Sequence, residues 1–482
     1  MIKMQRAGFV LLLFLCFTPF AGAQQASSNA AIASAHPLAT LAGREILDQG
    51  GNAFDAAIAV AAVLAVVEPY NSGLGGGGFF LLHRARDGRQ VMLDAREKAP
   101  LAARPDMYLD PKGESIAQAS LVGPLAAAIP GLPAGLAHLA KRYGRLPLRQ
   151  SLSAAIRLAE AGFPIDDRYR AMAESNLTLL QSQRETAQQF LIERTVPKAG
   201  ELLKQPQLAA TLRMLVQQGS AGFYRGSVAR AMVAAVREQG GIWTQADLAR
   251  YQVKERAPIV FDYRGLRIVS AALPSAGGLT LAESLNILAR FDLAQQSQAQ
   301  QMHLVAEALR RAYHDRARYL GDADFVRIPT ATLLSPTYAA QRAASVDLHN
   351  ATPSASLRVA PSVKQGDHTT HFSIVDRAGN RVAATLSINT LFGSGFVAGN
   401  TGVLLNNEMD DFAASEQAQN IYGLAGSRAN RIAPGKRPLS SMSPTFVEAK
   451  RGVLMLGTPG GSRIISMVLL AILGLEATPA PD

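Results

Sequence analysis

Residues 365–376 read QGDHTTHFSIVD. A polar, turn-like run, Gln365-Gly366-Asp367-His368, gives way at Thr369 and Thr370 to an alternating strand pattern. Threonine favours strands in any case. Two hydroxyls at the mouth of a strand, behind a Gly-Asp-His lead, support a sharper reading: the chain is cut before Thr369, which becomes an N-terminal nucleophile. A second strand-like run, RVAATLSIN (381–389), follows across Arg377-Ala378-Gly379-Asn380. Folding about that turn brings Thr369 opposite residues 387–389, and therefore beside Ser387 and Asn389. A threonine hydroxyl needs a base, and His368, His371 and the α-amine released by a cut are the candidates. The amine has a pKa of about 7.7–8.0 and is tethered to the hydroxyl that it would activate. Its use demands cleavage of the His368–Thr369 bond.

Outward from this hairpin the chain is helix-rich before it and strand-rich after it, which predicts an α+β fold in layers. Residues 37–50 read as a helix, and Asn52 caps a second one, Asp55 to Val67, that is apolar on nearly every face. The glycine run SGLGGGG (72–78) precedes two strand-like pieces, FFLLHR and QVMLDA, joined at Asp87-Gly88. Gly73, Gly75 and Gly78 spell G-x-G-x-x-G, but after a helix and before a strand, the reverse of a dinucleotide fingerprint. Close backbone packing explains them better. Helical patterns dominate 125–345. His303, Glu307 and His314 share a helix face, yet the two histidines stand three turns apart, too far for one metal ion. Residues 345–368 read as an exposed connector. Further strands are expected at GVLLNN (402–407), TFVEA (445–449) and VLMLG (453–457).

The chain has 482 residues, 48% of them hydrophobic, and a formal charge of +11. That is globular and sufficient for a large core. Lys3 and Arg6, an apolar run from Gly8 to Phe20 and Ala21-Gly22-Ala23 make residues 1–23 a secretory signal, with a periplasmic or secreted product. The one cysteine, Cys16, lies within it. The arginines are scattered rather than clustered with aromatics, so no nucleic-acid partner is expected.

Three more stretches carry chemistry. In GTPGGSRII (457–465) a strand ends and an apolar helix begins, with Gly460 and Gly461 at the turn. Their N–H groups suit an anion. No P-loop sequence is present, which leaves an oxyanion hole or an ordinary strand-to-helix turn. LLNNEMDDF places Glu408, Asp410 and Asp411 after an apolar strand, KRPLSSMSP places Ser440 and Ser441 before another, and LDAREKAP places Arg96 at the end of the early hairpin. Acids, an arginine and serines match an α-amino-acid head group: carboxylates for its ammonium, Arg and hydroxyls for its carboxylate. No G-x-S-x-G is present, which disfavours an α/β-hydrolase.

SGLGGGGF, AREKAP, DHTTHFSIVD, LLNNEMDDF, KRPLSSMSP and GTPGGSRII, in that order, resemble the γ-glutamyltranspeptidases, which are N-terminal nucleophile hydrolases. The resemblance runs from about residue 30 to 466. It implies a four-layer αββα sandwich and a precursor that cleaves itself between His368 and Thr369 into a large subunit (24–368) and a small one (369–482), which stay together as a heterodimer. It also implies γ-glutamyl transfer and hydrolysis on glutathione or similar compounds through a threonyl ester, with water, an amino acid or a peptide as acceptor. Thr369 matches the nucleophile, Ser387 the supporting hydroxyl, and Gly460 and Gly461 the oxyanion hole. Arg96, Ser440 and Ser441 match the α-carboxylate site, Asn389, Glu408 and Asp411 the α-amine site, and Tyr422 a lid. No metal or organic cofactor is implied. The family also contains cephalosporin acylases, whose glutaryl substrates lack the amine. Asp411 would leave an unpaired buried charge with such a substrate, which favours γ-glutamyl. The family's small subunit usually continues with further strands and a helix, so the expected sandwich is C-terminally truncated relative to the family. That shortening motivates the opposing expectation of an uncut, inactive homologue.

Overall fold

The computed structural model describes residues 30–353, 357, 368–413, 420–424, 426–450 and 452–477. The expected signal and most of the expected connector lie outside the described residues. Ten strands form two antiparallel sheets. The first contains β1 (Ala31–Ala33), β2 (Gly77–Arg84), β3 (Arg89–Ala95), β4 (Lys254–Arg256), β7 (Thr370–Val375) and β8 (Arg381–Ser387), in the order β1-β7-β8-β2-β3-β4. The second contains β5 (Ile259–Tyr263), β6 (Leu266–Ser270), β9 (Thr445–Ala449) and β10 (Gly452–Leu456), in the order β10-β9-β6-β5.

Strand periodicity explains the layers. On β2, Phe80 and Leu82 pack into one core with α2 (Ala53–Val67), while Phe79 and Leu81 point the other way. Leu81 and Ala383 of the first sheet meet Val269 and Phe446 of the second, so the two sheets face each other. Three more helices cover the outer face of the second sheet: α3 (Gly277–Leu288), α4 (Gln298–Tyr319) and α5 (Ile464–Ala477). The result is the expected αββα sandwich. Strands covered on both faces must be apolar on both, which is why β2 lacks a clean alternation.

Helix α2 begins as its sequence predicts. Asn52 Oδ1 accepts from the N–H groups of Phe54 and Asp55, at 2.9 and 3.0 Å, and Asp55 Oδ2 accepts from Asn52 N–H at 3.0 Å. Every residue of α2 is buried. Asp376 ties the β7–β8 hairpin to this helix: Oδ1 accepts from the N–H groups of Ala378 and Asn380, and Oδ2 from Ala53 N–H at 2.9 Å. The turn is thereby closed and anchored, and the register follows. Thr370 pairs with Leu386, and Ser387 pairs with Gly77.

Backbones crowd at the glycine run, as expected. A Cβ on Gly75 would stand 1.9 Å from Leu404 O, and one on Gly76 would stand 2.1 Å from Ser387 O. One expected strand is absent. GVLLNN forms only isolated bridges, Leu404 with Val397 and Leu405 with Gly75. Its polar end is used differently: Asn406 Nδ2 donates to Gly75 O and Ala128 O, which fixes a loop rather than a ladder. The His303–Glu307–His314 stripe holds no metal cluster among the described residues. Glu307 is instead bound by Arg310, Arg311 and Thr352.

Gly76→Ala should push the Ser387 backbone outward and destabilise the fold by about 1–3 kcal/mol. Denaturant unfolding checks this; an unchanged midpoint would mean that the close approach is not required.

Candidate active site

Register and parity build the site. Thr370 lies on the α2 face of β7, where its hydroxyl donates to Glu68 Oε2 at 3.0 Å. Thr369 and His371 therefore lie on the face towards the second sheet. Thr369 Oγ1 donates to Ser387 Oγ at 3.3 Å, and Ser387 Oγ accepts from Asn389 N–H at 2.8 Å. Both hydroxyls are buried. His371 does not reach towards the nucleophile. Its Nδ1 pairs with Thr385 Oγ1 at 2.9 Å and its Nε2 with Ser373 Oγ at 3.2 Å, while its ring packs on Gly457. Burial pushes its pKa down to about 3, so the ring is neutral at ordinary pH.

The glycine turn arrives from the second sheet. Gly460 N–H donates to the carbonyl of His368 at 3.1 Å. That carbonyl belongs to the bond expected to break. Thr369 itself has φ +97°, a strained conformation for a β-branched residue. Gly461 has φ +55°, and a Cβ there would fall 2.6 Å from the ring of Tyr422. Only glycine lets that ring settle on the turn.

Arg96 directly follows β3 and is fully buried. It lies among the acids. Nη1 lies 2.8 Å from Glu408 Oε2 and 3.5 Å from Glu97 Oε2, and Nη2 bonds Asp411 Oδ2. The buried oxygens of Glu408 and Glu97 receive no well-aligned hydrogen bond from any described residue. Burial therefore raises both carboxyls, Glu97 to about 7 and Glu408 well above the usual range, against the pull of Arg96. Ser440 Oγ accepts from Met442 N–H at 3.1 Å, and Ser441 Oγ accepts from Arg316 Nη2 at 3.0 Å.

One cavity joins these groups. Thr369, Ser387, Asn389 and Gly461 line one part of it; Arg96, Glu408, Asp411, Ser440 and Ser441 line the rest. Its free volume is about 20 Å³, room for a single water. Tyr422 closes it, donating to Asn389 O and Oδ1 at 2.9 and 2.8 Å. Every expected site residue except Gly460 lines this cavity, and Gly460 N–H instead holds the carbonyl of His368, next to Thr369. The sequence reading missed Arg316, Glu97 and Tyr313. Arg316 and Tyr313 project from α4, and Tyr313 Oη bonds Ser462 O. Of the two, only Arg316 lines the cavity, and nothing in a basic helical run singles it out.

The Tyr422 segment hangs on neighbouring acids. Asp410 Oδ2 accepts from Ile421 N–H at 2.9 Å, and Oδ1 accepts from Ser120 Oγ at 2.7 Å. Burial raises Asp410 to about 6, with Asp411 adding to the effect. A carboxyl raised in the fold favours folding fully below its unfolded value, near 4, and loses that contribution as pH rises to about 6. Asn cannot ionise. The melting temperature of Asp410→Asn relative to the parent should therefore climb between pH 4 and 6 and level off above, by at most about 3 kcal/mol in stability. Parallel curves across that range would refute a neutral buried Asp410.

With the geometry in place, comparisons with known proteins are specific. The profile of the Gamma-glutamyltranspeptidase family matches residues 39–477. The glutathione hydrolase proenzyme of Pseudomonas sp. (strain A14) is 43% identical over 467 residues, covering 94% of this chain and 81% of that protein. The crystal structure of Helicobacter pylori gamma-glutamyltranspeptidase superposes with a TM-score of 0.66 at 38% identity, covering 68% of this chain and 95% of that one. The cephalosporin acylase of Bacillus halodurans gives 0.77 at 27% identity, covering 96% and 84%. The chain belongs to the gamma-glutamyltranspeptidase family.

Proposed function

We propose that this enzyme hydrolyses and transfers the γ-glutamyl group of glutathione and related compounds, after cutting itself between His368 and Thr369. The single observation that carries the substrate reading is the charge set of the closed cavity. One arginine, Arg96, is shared by Glu408 and Asp411 within a cavity that ends at the Thr369 hydroxyl. A ligand with both an α-carboxylate and an α-ammonium satisfies all three: its carboxylate takes Arg96 with Ser440 and Ser441, and its ammonium takes Glu408 and Asp411 with Asn389. A glutaryl chain would leave the acids unpaired, at a cost of several kcal/mol. The relatives named glutathione hydrolase proenzymes support the same substrate class.

Two observations support the cut. The scissile carbonyl rests on Gly460 N–H, where charge develops when Thr369 Oγ1 attacks it. The φ of Thr369 stores strain, about 1–3 kcal/mol for such a residue, that breaking the bond relieves. In this reaction Oγ1 bonds to the His368 carbonyl carbon, the amide nitrogen leaves as the new α-amine, and water hydrolyses the ester. In the mature chain that amine takes the proton from Oγ1 as Oγ1 attacks the γ-carbonyl carbon. Gly460 and Gly461 N–H groups hold the oxyanion, Ser387 supports Oγ1, and the proton passes to the leaving amine. Water, an amino acid or a peptide then resolves the γ-glutamyl ester. The signal-like residues 1–23 support a secreted or periplasmic site of action.

Incubating the purified chain at neutral pH should give two fragments by intact mass, the smaller beginning at Thr369. Thr369→Ala should stay whole and inactive; γ-glutamyl hydrolysis by that variant would sink the mechanism. Asp411→Ala should mature and lose roughly 100-fold in kcat/KM on a γ-glutamyl anilide. An equal loss on the matched glutaryl anilide would show that Asp411 does not read the ammonium.

A further inference from the structure

Arg316 projects from α4 into the wall of the Thr369 cavity and is 5% exposed. The chemistry proposed above gives it no task. A buried guanidinium is ordinarily matched by a carboxylate. Arg96 has three such partners, Glu97, Glu408 and Asp411. Arg316 has none within ion-pair distance among the described residues. Its Nη2 donates to Ser441 Oγ at 3.0 Å, and its buried Nε meets no acceptor among them. Burial lowers its pKa, opposed by Tyr313 and by Asp411, whose carboxylate is already held by Arg96. The cavity therefore contains one cation shared among acids and one cation that lacks an anion.

We infer that Arg316 is a specificity-determining residue for the donor: through Ser441 it selects substrates that carry a carboxylate on the α-carbon. The inference rests on the γ-glutamyl reading above, which assigns that carboxylate to Arg96, Ser440 and Ser441 and leaves Arg316 out.

The geometry at Ser441 carries it. A serine hydroxyl has one proton to give and accepts through its lone pairs. With Arg316 donating to Ser441 Oγ, the hydroxyl proton must point elsewhere, and no described residue accepts it. Ser440 is arranged likewise: its Oγ accepts from Met442 N–H at 3.1 Å. Both serines line the cavity, so both present O–H to an occupant rather than lone pairs. Donation from a guanidinium also polarises the Ser441 O–H and strengthens the bond that it gives. A carboxylate, which only accepts, gains from this arrangement; an ammonium, which only donates, gains nothing.

Helix α4 is held at a second point. Tyr313, about one turn before Arg316, donates from Oη to Ser462 O, next to Gly461. One helix thus touches both the serine pair and the glycine turn, and it fixes the place of Arg316 relative to each.

The test compares two donors in the mature enzyme: γ-glutamyl anilide and γ-aminobutyryl anilide, which keeps the chain and the ammonium but lacks the α-carboxylate. Arg316→Met should lower kcat/KM on the first about 100-fold, chiefly through KM, and leave the second within about 3-fold of the parent. Arg316→Lys restores the charge without the planar fork and should regain part of that loss. Ser441→Ala should cost much less in the Arg316→Met background than alone, because one residue acts through the other. Equal losses on both anilides would show a structural role only and overturn the inference, as would additive losses in the double variant. If Arg316→Met fails to mature, Arg316→Lys and its pairing with Ser441→Ala decide the question by the same comparisons. An unsubstituted enzyme that cleaves γ-aminobutyryl anilide as well as γ-glutamyl anilide would instead count against the donor reading, so the two failures are distinguishable.

Discussion

The hydrogen bond from Gly460 N–H to the His368 carbonyl is the constraint on which the site depends. It joins the two sheets where neither is continuous: β7 begins at Thr370, and the turn after β10 leads into α5. The first sheet supplies hydroxyls in fixed register, because Asp376 closes its hairpin and clamps it to Ala53. The second supplies a backbone donor with no side chain in the way. Neither sheet alone assembles a nucleophile and an anion site. Facing the sheets through Leu81, Ala383, Val269 and Phe446 brings the two ends together. Apolar packing between sheets thus sets a polar geometry at their rim.

The cavity's electrostatics follow from burial. An arginine and three carboxyls in so dry a place cannot all hold their solution charges. Arg96 keeps its proton, while Glu97 and Glu408 are pushed towards their neutral forms. These carboxyls gather on Arg96. A zwitterionic ligand need only insert among them, exchanging protein–protein pairs for protein–ligand pairs. That exchange limits the desolvation cost of occupying a charged cavity.

Much of this was legible in the sequence because it rests on local rules. The Arg377–Asn380 turn and the strands around it set a register, and register placed Ser387 beside Thr369 without any long-range argument. Asn52 and the uninterrupted apolar run after it announced α2. The glycine run was legible as crowding, although the carbonyls responsible, Leu404 O and Ser387 O, come from segments distant in sequence. What stayed hidden depends on three dimensions. GVLLNN has a strand's composition, but its asparagines cap loops. Arg316 is one arginine among many on α4 until Ser441 is packed against it. Arg96 and the acids were legible as a set, whereas their pairing with one another was not, since the end of β3 and the segment 408–411 meet only in the fold.

Asp411 links recognition to closure. Its Oδ2 is held by Arg96, its Oδ1 accepts from Asn420 Nδ2 at 3.1 Å, and its carbonyl accepts from Asn430 Nδ2 at 2.6 Å. Asn420 Oδ1 in turn accepts from the N–H groups of Tyr422 and Leu424, each at 3.1 Å. The carboxylate that would meet a ligand ammonium is therefore two hydrogen bonds, through Asn420, from the backbone of Tyr422. Tyr422 itself ends on Asn389, whose N–H donates to the Ser387 hydroxyl that accepts from Thr369. Head group, lid and nucleophile form one connected chain of hydrogen bonds. The cavity has room for about one water, and the Tyr422–Asn389 bonds lie across it.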